Sequence, residues 1–391
     1  MTSIFTPDQV VKYAETRYFT RLDDSKIDLK PDHVIIRPED VETIELHNGK
    51  LESVLRDEVL KRTGTVKYVI QPNGREQIFY SKGTLFVPQF SGVSRENRYI
   101  EMAKAYLDAS RKRMWFEKHY PNNDPAEAVH KYSDNAHDFI VGSFVRLDKH
   151  EDRRVFENDT VADIDTIIFG HMKSFASMSE VLKTGRSEYL KAQILNIDGK
   201  RAFNIGDVYG DQANMLTSKW LLEQYSMAKR DGKRKDLWIY VTGRAAGLLD
   251  SMERHDIICP NWIINNHHLK QGNNHPRYPI NNMLAPTDRD IYSLHVDSVI
   301  NETIEELEEA RKNNVVGVEM ELLHFMLAII EAEATYSDYL NINVGFVYHV
   351  SDLPLKVRDN GQRDTLADEL DSDKGERETV KMILSNIKHR Q

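Results

Sequence analysis

The chain has 391 residues, 40% of them apolar and 29% charged, which is ordinary globular composition with material for a sizeable core. At roughly 150 residues per domain, this length suggests two or three domains. The formal charge of −10 argues against a general grip on nucleic acid or on an anionic membrane, and the single cysteine, Cys259, excludes both an internal disulfide framework and a thiolate-rich zinc site.

Chain order starts with Thr6-Pro7-Asp8-Gln9, which has a capping residue and proline at the first helical position. No basic start or apolar run marks a signal peptide, and no stretch is apolar for long enough to span a bilayer, so the expectation is a cytoplasmic protein. Segments 66–70 and 77–80 alternate across Pro72-Asn73-Gly74 as a hairpin would. A helix is predicted over 96–120, broken by Pro121-Asn122-Asn123-Asp124-Pro125. The polar run 148–159 reads either as a domain boundary or as a solvated loop. Taken as a boundary, it divides the chain into an α+β extension over 1–155 and a second domain over 156–391.

Beyond it, short apolar runs recur at 166–169, 202–205, 237–241, 256–258, 315–318 and 344–348, as strands buried on both faces do. Helical stretches over 214–229, 301–313 and 320–334 lie between them. The alternation predicts an α/β fold with a mostly parallel central sheet flanked by helices. Sites in such sheets lie at the carboxyl ends of strands. Four polar clusters follow runs: Gly170-His171-Met172-Lys173, Gly206-Asp207-Val208-Tyr209, Thr242-Gly243-Arg244-Ala245-Ala246-Gly247 and Ser351-Asp352-Leu353-Pro354. A fifth, Gly317-Val318-Glu319-Met320-Glu321, sits where a strand gives way to a helix.

Each cluster has two readings. Glu319 and Glu321 are costly at a buried junction unless hydrogen-bonded, and a pair of sugar hydroxyls is one suitable partner; acids at a helix N-terminus are the other account. Asp352 is a turn residue or a general acid. The glycines of 242–247 serve close packing, or Arg244 among them serves an anion; an outward-facing Arg244 fits equally. His267, His268 and His275 lie in an Asn-rich stretch that reads as a surface loop rather than a metal site, and the basic run 229–235 reads as a solvated turn.

In this order, Thr242-Gly243-Arg244-Ala245-Ala246-Gly247-Leu248, Asp256-Ile257-Ile258, Val318-Glu319-Met320-Glu321 and Val350-Ser351-Asp352 resemble the nucleoside phosphorylase/nucleosidase superfamily over about 163–391. Asn204-Ile205-Gly206 and Ser351-Asp352-Leu353-Pro354-Leu355 are similar to the AMP nucleosidases within it. The resemblance implies cleavage of a purine N-glycosidic bond, with Asp352 protonating the base and Glu321 on the ribose hydroxyls. It implies Met320 and Met172 against the sugar, and Glu319, Gly243, Arg244, Ile300 and Ser351 as further binding positions. It implies no cofactor, no metal and no nucleic-acid polymer, a small nucleoside or nucleotide as ligand, and a homo-oligomer.

The departures are informative. Tyr240-Val241 stand where the phosphorylases carry a phosphate-binding Arg, so hydrolysis is expected ahead of phosphorolysis. Lys173-Ser174 stand near where the methylthioadenosine nucleosidases carry a water-activating Glu. No aromatic for stacking on the base occurs at 297–300, where Val299 is the candidate wall. These two gaps motivate a non-catalytic nucleotide sensor as the alternative. Arg244, Lys173 and His171 are the candidate cations for a 5′-phosphate.

Overall fold

The structure is a computed structural model of the full chain. It describes residues 33–34, 43–48, 52–69, 78–89, 130–133, 138–142, 164–186, 191–206, 208, 210–265, 277–296, 303–357, 363–364 and 373–390. The helix expected over 96–120, the helix start at Thr6, and the stretches holding Asp207, Tyr209, His267, His268, His275 and Ile300 lie outside these residues. The chain divides into two compact units. One comprises Met1–Ile4, Arg154–Arg186 and Leu190–Gln391; the other comprises Phe5–Arg153 and Ser187–Tyr189.

The Phe5–Arg153 unit holds a seven-stranded sheet of β1 (His33–Val34), β2 (Thr43–Asn48), β3 (Lys67–Val69), β4 (Ile78–Ser81), β5 (Thr84–Gln89), β6 (His130–Ser133) and β7 (Asp138–Gly142), in the order β1-β3-β4-β5-β2-β7-β6. The strands of the expected hairpin are present as β3 and β4, antiparallel with Tyr68 opposite Phe79, while its turn at Pro72-Asn73-Gly74 lies outside the described residues. Helix α1 (Glu52–Thr63) supplies Leu55 and Val59 to a small core with Phe79 and Phe86.

The larger unit is a mixed α/β structure whose central sheet is flanked by helices. Its centre is parallel: β11 (Lys200–Ile205), β8 (Thr166–Phe169), β12 (Lys235–Gly247) and β18 (Leu340–Val357) run side by side. Antiparallel strands extend it. A hairpin of β9 (Glu180–Arg186) and β10 (Lys191–Ile197) adds onto β11. On the other side, β17 (Val315–Glu319) pairs antiparallel with the end of β12. Parallel pairs then lead from β17 through β16 (Tyr292–His295) to β14 (Trp262–Asn265), and the short strands β13 (Ile257–Ile258), β15 (Arg277–Pro279) and β19 (Arg363–Asp364) add antiparallel onto β18, β14 and β18. The sheet is therefore mixed, with two parallel blocks, β11-β8-β12-β18 and β17-β16-β14, joined by the antiparallel β12–β17 pair. Periodicity alone does not reveal this, because a buried strand is apolar on both faces whatever its partners' direction.

Two helices cover opposite faces at the centre. In a strand successive side chains point to opposite faces. Phe169 and Phe346 meet Phe325 of α5 (Leu322–Tyr336), with ring centroids 4.9 and 6.4 Å apart. Ile168, Tyr240 and Val347, at the alternate positions, pack in one core cluster with Val380, Ile383, Leu384 and Ile387 of α6 (Asp373–His389). Among the described residues this unit also has helices α2 (Met172–Met178), α3 (Asp211–Asp231) and α4 (Ile304–Lys312). Helix α4 starts with a capping box, in which Thr303 Oγ1 accepts the Glu306 N–H and the Glu306 carboxylate accepts that of Thr303.

Candidate functional site

The site follows from the length of β12. Its thirteen residues outrun β8 and β17, so one edge is shared by these two partners. Strand β8 takes Trp238 to Val241, and β17 takes Ala246 and Gly247. Strand β18 lines the other edge throughout. Where β8 ends and β17 has not yet joined, the sheet splits, and such a split is where open α/β sheets form crevices.

Gly170 closes the β8 side. It has φ +97°, and a Cβ on it would lie 2.1 Å from the Thr242 carbonyl oxygen, so only glycine fits. His171 follows at φ +43°, and Met172 opens α2. A buried amide relay holds this corner. Gln193 Nε2 donates to the Met172 carbonyl and to Asn204 Oδ1, while Asn204 Nδ2 donates to the carbonyls of Ile168 and Gly170. The Asn204 that carried part of the resemblance is thus a brace.

Residues 242–247 continue the strand, rather than forming a polar cluster after its end as expected from sequence. Gly243 carries the Tyr348 ring, 3.4 Å from where its Cβ would be, and Gly247 carries Val350 and Leu353, each at 3.0 Å. The glycines thin the strand so that β18 side chains lie across it. Arg244 is directed to α6, donating through Nη2 to Glu376 Oε1 at 3.1 Å.

The acidic pair at the β17–α5 junction divides its work. Glu319 is buried, and its Oε2 accepts the backbone N–H groups of Glu321 (2.7 Å) and Leu322 (2.5 Å), capping α5. Its Oε1 lies 3.4 Å from His295 Nδ1. For Glu319 the helix-terminus account holds. Glu321, partly exposed at the N-cap, makes no side-chain cap. Met320 between them is buried, and Met172 is half-buried.

Strand β18 does not end before Ser351-Asp352; it runs through to Val357. Its pairing with β12 slips there, Val350 facing Ala245 but Asp352 facing Ala246, which leaves Ser351 as the extra residue of a bulge. Gly247 meets both Val350 and Leu353, so the strand's alternation is inverted across the slip. Asp352 is 6% exposed, and its Oδ1 accepts from Ser351 Oγ at 2.6 Å. On the opposite edge Ala246 pairs with Val318. Val318, which opens Val318-Glu319-Met320-Glu321, and Asp352 therefore flank one residue, two strand spacings or ~10 Å apart.

Three residues escaped sequence reasoning. Tyr348 is fully buried, and its hydroxyl finds no hydrogen-bond partner among the described residues. Burial pushes its phenol well above the ordinary range, and the charges of Glu319 and Glu321 push it further. His349 has no exposure, and burial, with the His171 and Arg244 charges, lowers its pKa to about 3. Glu376, near the start of α6, receives Arg244 and Ser174. Its only signal is Gly375 before it, where a Cβ would lie 2.5 Å from the His349 ring. Among the described residues no group of three or more His, Cys, Asp or Glu is placed to hold a metal, and no helix is long and apolar enough to cross a membrane.

Solved structures similar to this chain include nucleosidases and a purine nucleoside phosphorylase. One is the 5′-methylthioadenosine/S-adenosylhomocysteine nucleosidase of Neisseria meningitidis in complex with methylthio-immucillin-A, at 17% identity over 57% of this chain and 97% of that one, with a TM-score of 0.40. A second is the purine nucleoside phosphorylase of Toxoplasma gondii in complex with immucillin-H, at 15% identity over 62% of this chain and 99% of that one, with a TM-score of 0.42. The Campylobacter jejuni methylthioadenosine/S-adenosylhomocysteine nucleosidase matches at 10% identity over 57% and 99%, with a TM-score of 0.41. No family model and no curated protein sequence matches the chain.

Proposed function

We propose that the 156–391 part of this chain hydrolyses the N-glycosidic bond of a purine nucleoside or nucleotide. Asp352 is the general acid that protonates the leaving base at N7, and Glu321 holds the ribose hydroxyls. Met320 and Met172 pack against the sugar. The observation that carries the reading is the placement of the two motifs on either edge of Ala246. It brings the strand bearing Asp352 and the junction bearing Glu321 to the two edges of one short stretch of β12.

The chemistry needs these two groups on opposite sides of one bond. Glycosidic cleavage passes through an oxocarbenium-like state, cationic on the sugar and electron-rich on the base. An acid at the base improves the leaving group. A carboxylate on the hydroxyls stabilises the cationic sugar more than the neutral one, which is differential binding. The capping bonds at Glu319 support the assignment of the sugar role to Glu321, because one oxygen of Glu319 is already committed to two N–H donors.

Incubation with adenosine, AMP, inosine, GMP and methylthioadenosine in phosphate-free buffer tests the reading, with free base identified by mass spectrometry. Release from at least one is expected, and release from none rejects it. Strict dependence on inorganic phosphate, with ribose 1-phosphate as product, would instead establish phosphorolysis. Binding without turnover would establish a sensor.

A further inference from the structure

Beside the Asp352 bulge, on the α6 side of the sheet, is a second group of polar side chains. Arg244 precedes Ala246 by two residues and faces His349 in the β12–β18 register. His171 Nδ1 lies 3.9 Å from Glu376 Oε2, and its ring centroid is 5.5 Å from that of His349. Ser174 Oγ donates to Glu376 Oε2 at 3.3 Å, and Arg244 Nη2 to Glu376 Oε1 at 3.1 Å. One buried carboxylate thus collects a guanidinium, a hydroxyl and an imidazole contributed by the end of β12 and the β8–α2 corner. That donor set suits an oxyanion. The carboxylate it holds comes from a helix far along the chain. Both ring nitrogens of His349, which is fully buried, find no hydrogen-bond partner among the described residues, so polar capacity beyond what Glu376 satisfies is present.

We propose that Glu376 is a specificity-determining residue: it occupies, from within the chain, the oxyanion position formed by Arg244, His171 and Ser174, and so restricts the enzyme to substrates that bring no phosphate there. This rests on the reading of the chain as a nucleosidase and narrows it to uncharged nucleosides cleaved by water. A phosphate, whether a nucleophile or a 5′ substituent, would meet a buried like charge and a guanidinium already paired. Glycine at 375 lets α6 lie against the His349 ring, which sets Glu376 in place.

The test uses the full chain and two probes. Calorimetry with inorganic phosphate is expected to show no binding to the wild type at millimolar concentration, and binding to Glu376→Gln. Glu376→Asp, which keeps the charge, is expected to reject phosphate as the wild type does. The wild type is expected to favour adenosine over AMP in kcat/KM by ~100-fold, and Glu376→Gln to shift that ratio towards AMP by ~10-fold or more. Phosphate binding by the wild type, or an adenosine-to-AMP ratio unmoved by Glu376→Gln, overturns the proposal. If Glu376→Gln does not fold, the wild-type phosphate titration and substrate ratio decide it. If no nucleoside is cleaved by any variant, the nucleosidase reading fails while the phosphate titration still decides the role of Glu376.

Discussion

The Glu319 carboxylate accepts the backbone N–H of Glu321 at 2.7 Å, so two acids separated by one methionine do different work. The first holds the start of α5, and the second presents its side chain from the N-cap that the first has fixed. Glu319→Ala is expected to cost about 1–3 kcal/mol, the range for a lost cap that leaves buried donors unpaired. Glu321→Ala is expected to stay within about 1 kcal/mol of wild type, because its side chain makes no cap. Glycosidase activity should fall for both, but only Glu319→Ala should lower the urea midpoint.

Asp352→Asn tests the acid directly. The Asn Oδ1 still accepts from Ser351 Oγ, so the bulge survives and the melting temperature is expected to be little changed. Base release should fall by ~10²–10⁴-fold, the usual worth of a positioned acid. A variant with near wild-type rates would remove Asp352 from the mechanism.

His349 makes stability depend on acid. Its pKa in the fold is about 3, against an ordinary value of 6.5. Between those values the unfolded chain holds a proton that the folded chain does not, so acid favours unfolding. The contribution of the neutral histidine is complete above pH 6.5 and is lost as pH falls towards 3, amounting to up to about 5 kcal/mol by linkage. His349→Gln, which cannot titrate, is expected to flatten this part of the curve. Urea unfolding of both proteins from pH 7 to 4 reads the difference, and parallel curves would contradict it.

Gly170 and Gly375 are expected to tolerate no side chain. Gly170→Ala places a methyl against the Thr242 carbonyl at a backbone angle unfavourable for alanine, and should cost ~3 kcal/mol or more. Gly375→Ala meets the His349 ring within a helix, where alanine is otherwise the better residue. A lowered melting temperature for Gly375→Ala would therefore report the clash; a raised one would mean that α6 moves aside readily.

Much of the larger unit was legible in the residues. The apolar runs at 166–169, 202–205 and 237–241 are β8, β11 and part of β12, and the stretches at 214–229 and 320–334 lie in α3 and largely in α5. Burial on both faces and helical periodicity are local properties, and a linear reading recovers them. The lengths of β12 and β18 were not legible. The carboxyl half of β12 is rich in Gly and Ala, and Ser351-Asp352 with Pro354 interrupts that of β18, so both read as turn until Tyr348, Val350 and Leu353 are seen lying across the glycines. Tyr348 and His349 were hidden for a different reason, as members of what looked like a plain apolar strand.

The residue order alone established the succession of the motifs, the α/β class of the second part and the chemical types at hand: an Asp beyond an apolar run, two acids before a helix and an Arg among glycines. Those follow from near neighbours along the chain. Tertiary structure decided which member of each ambiguous pair does what. It assigned Glu319 to a helix end, placed Asp352 at a bulge opposite Ala246, and gave Arg244 a partner 132 residues away in Glu376. Hydrogen bonds and ion pairs between distant segments depend on where the backbone carries them, and local periodicity holds no record of that.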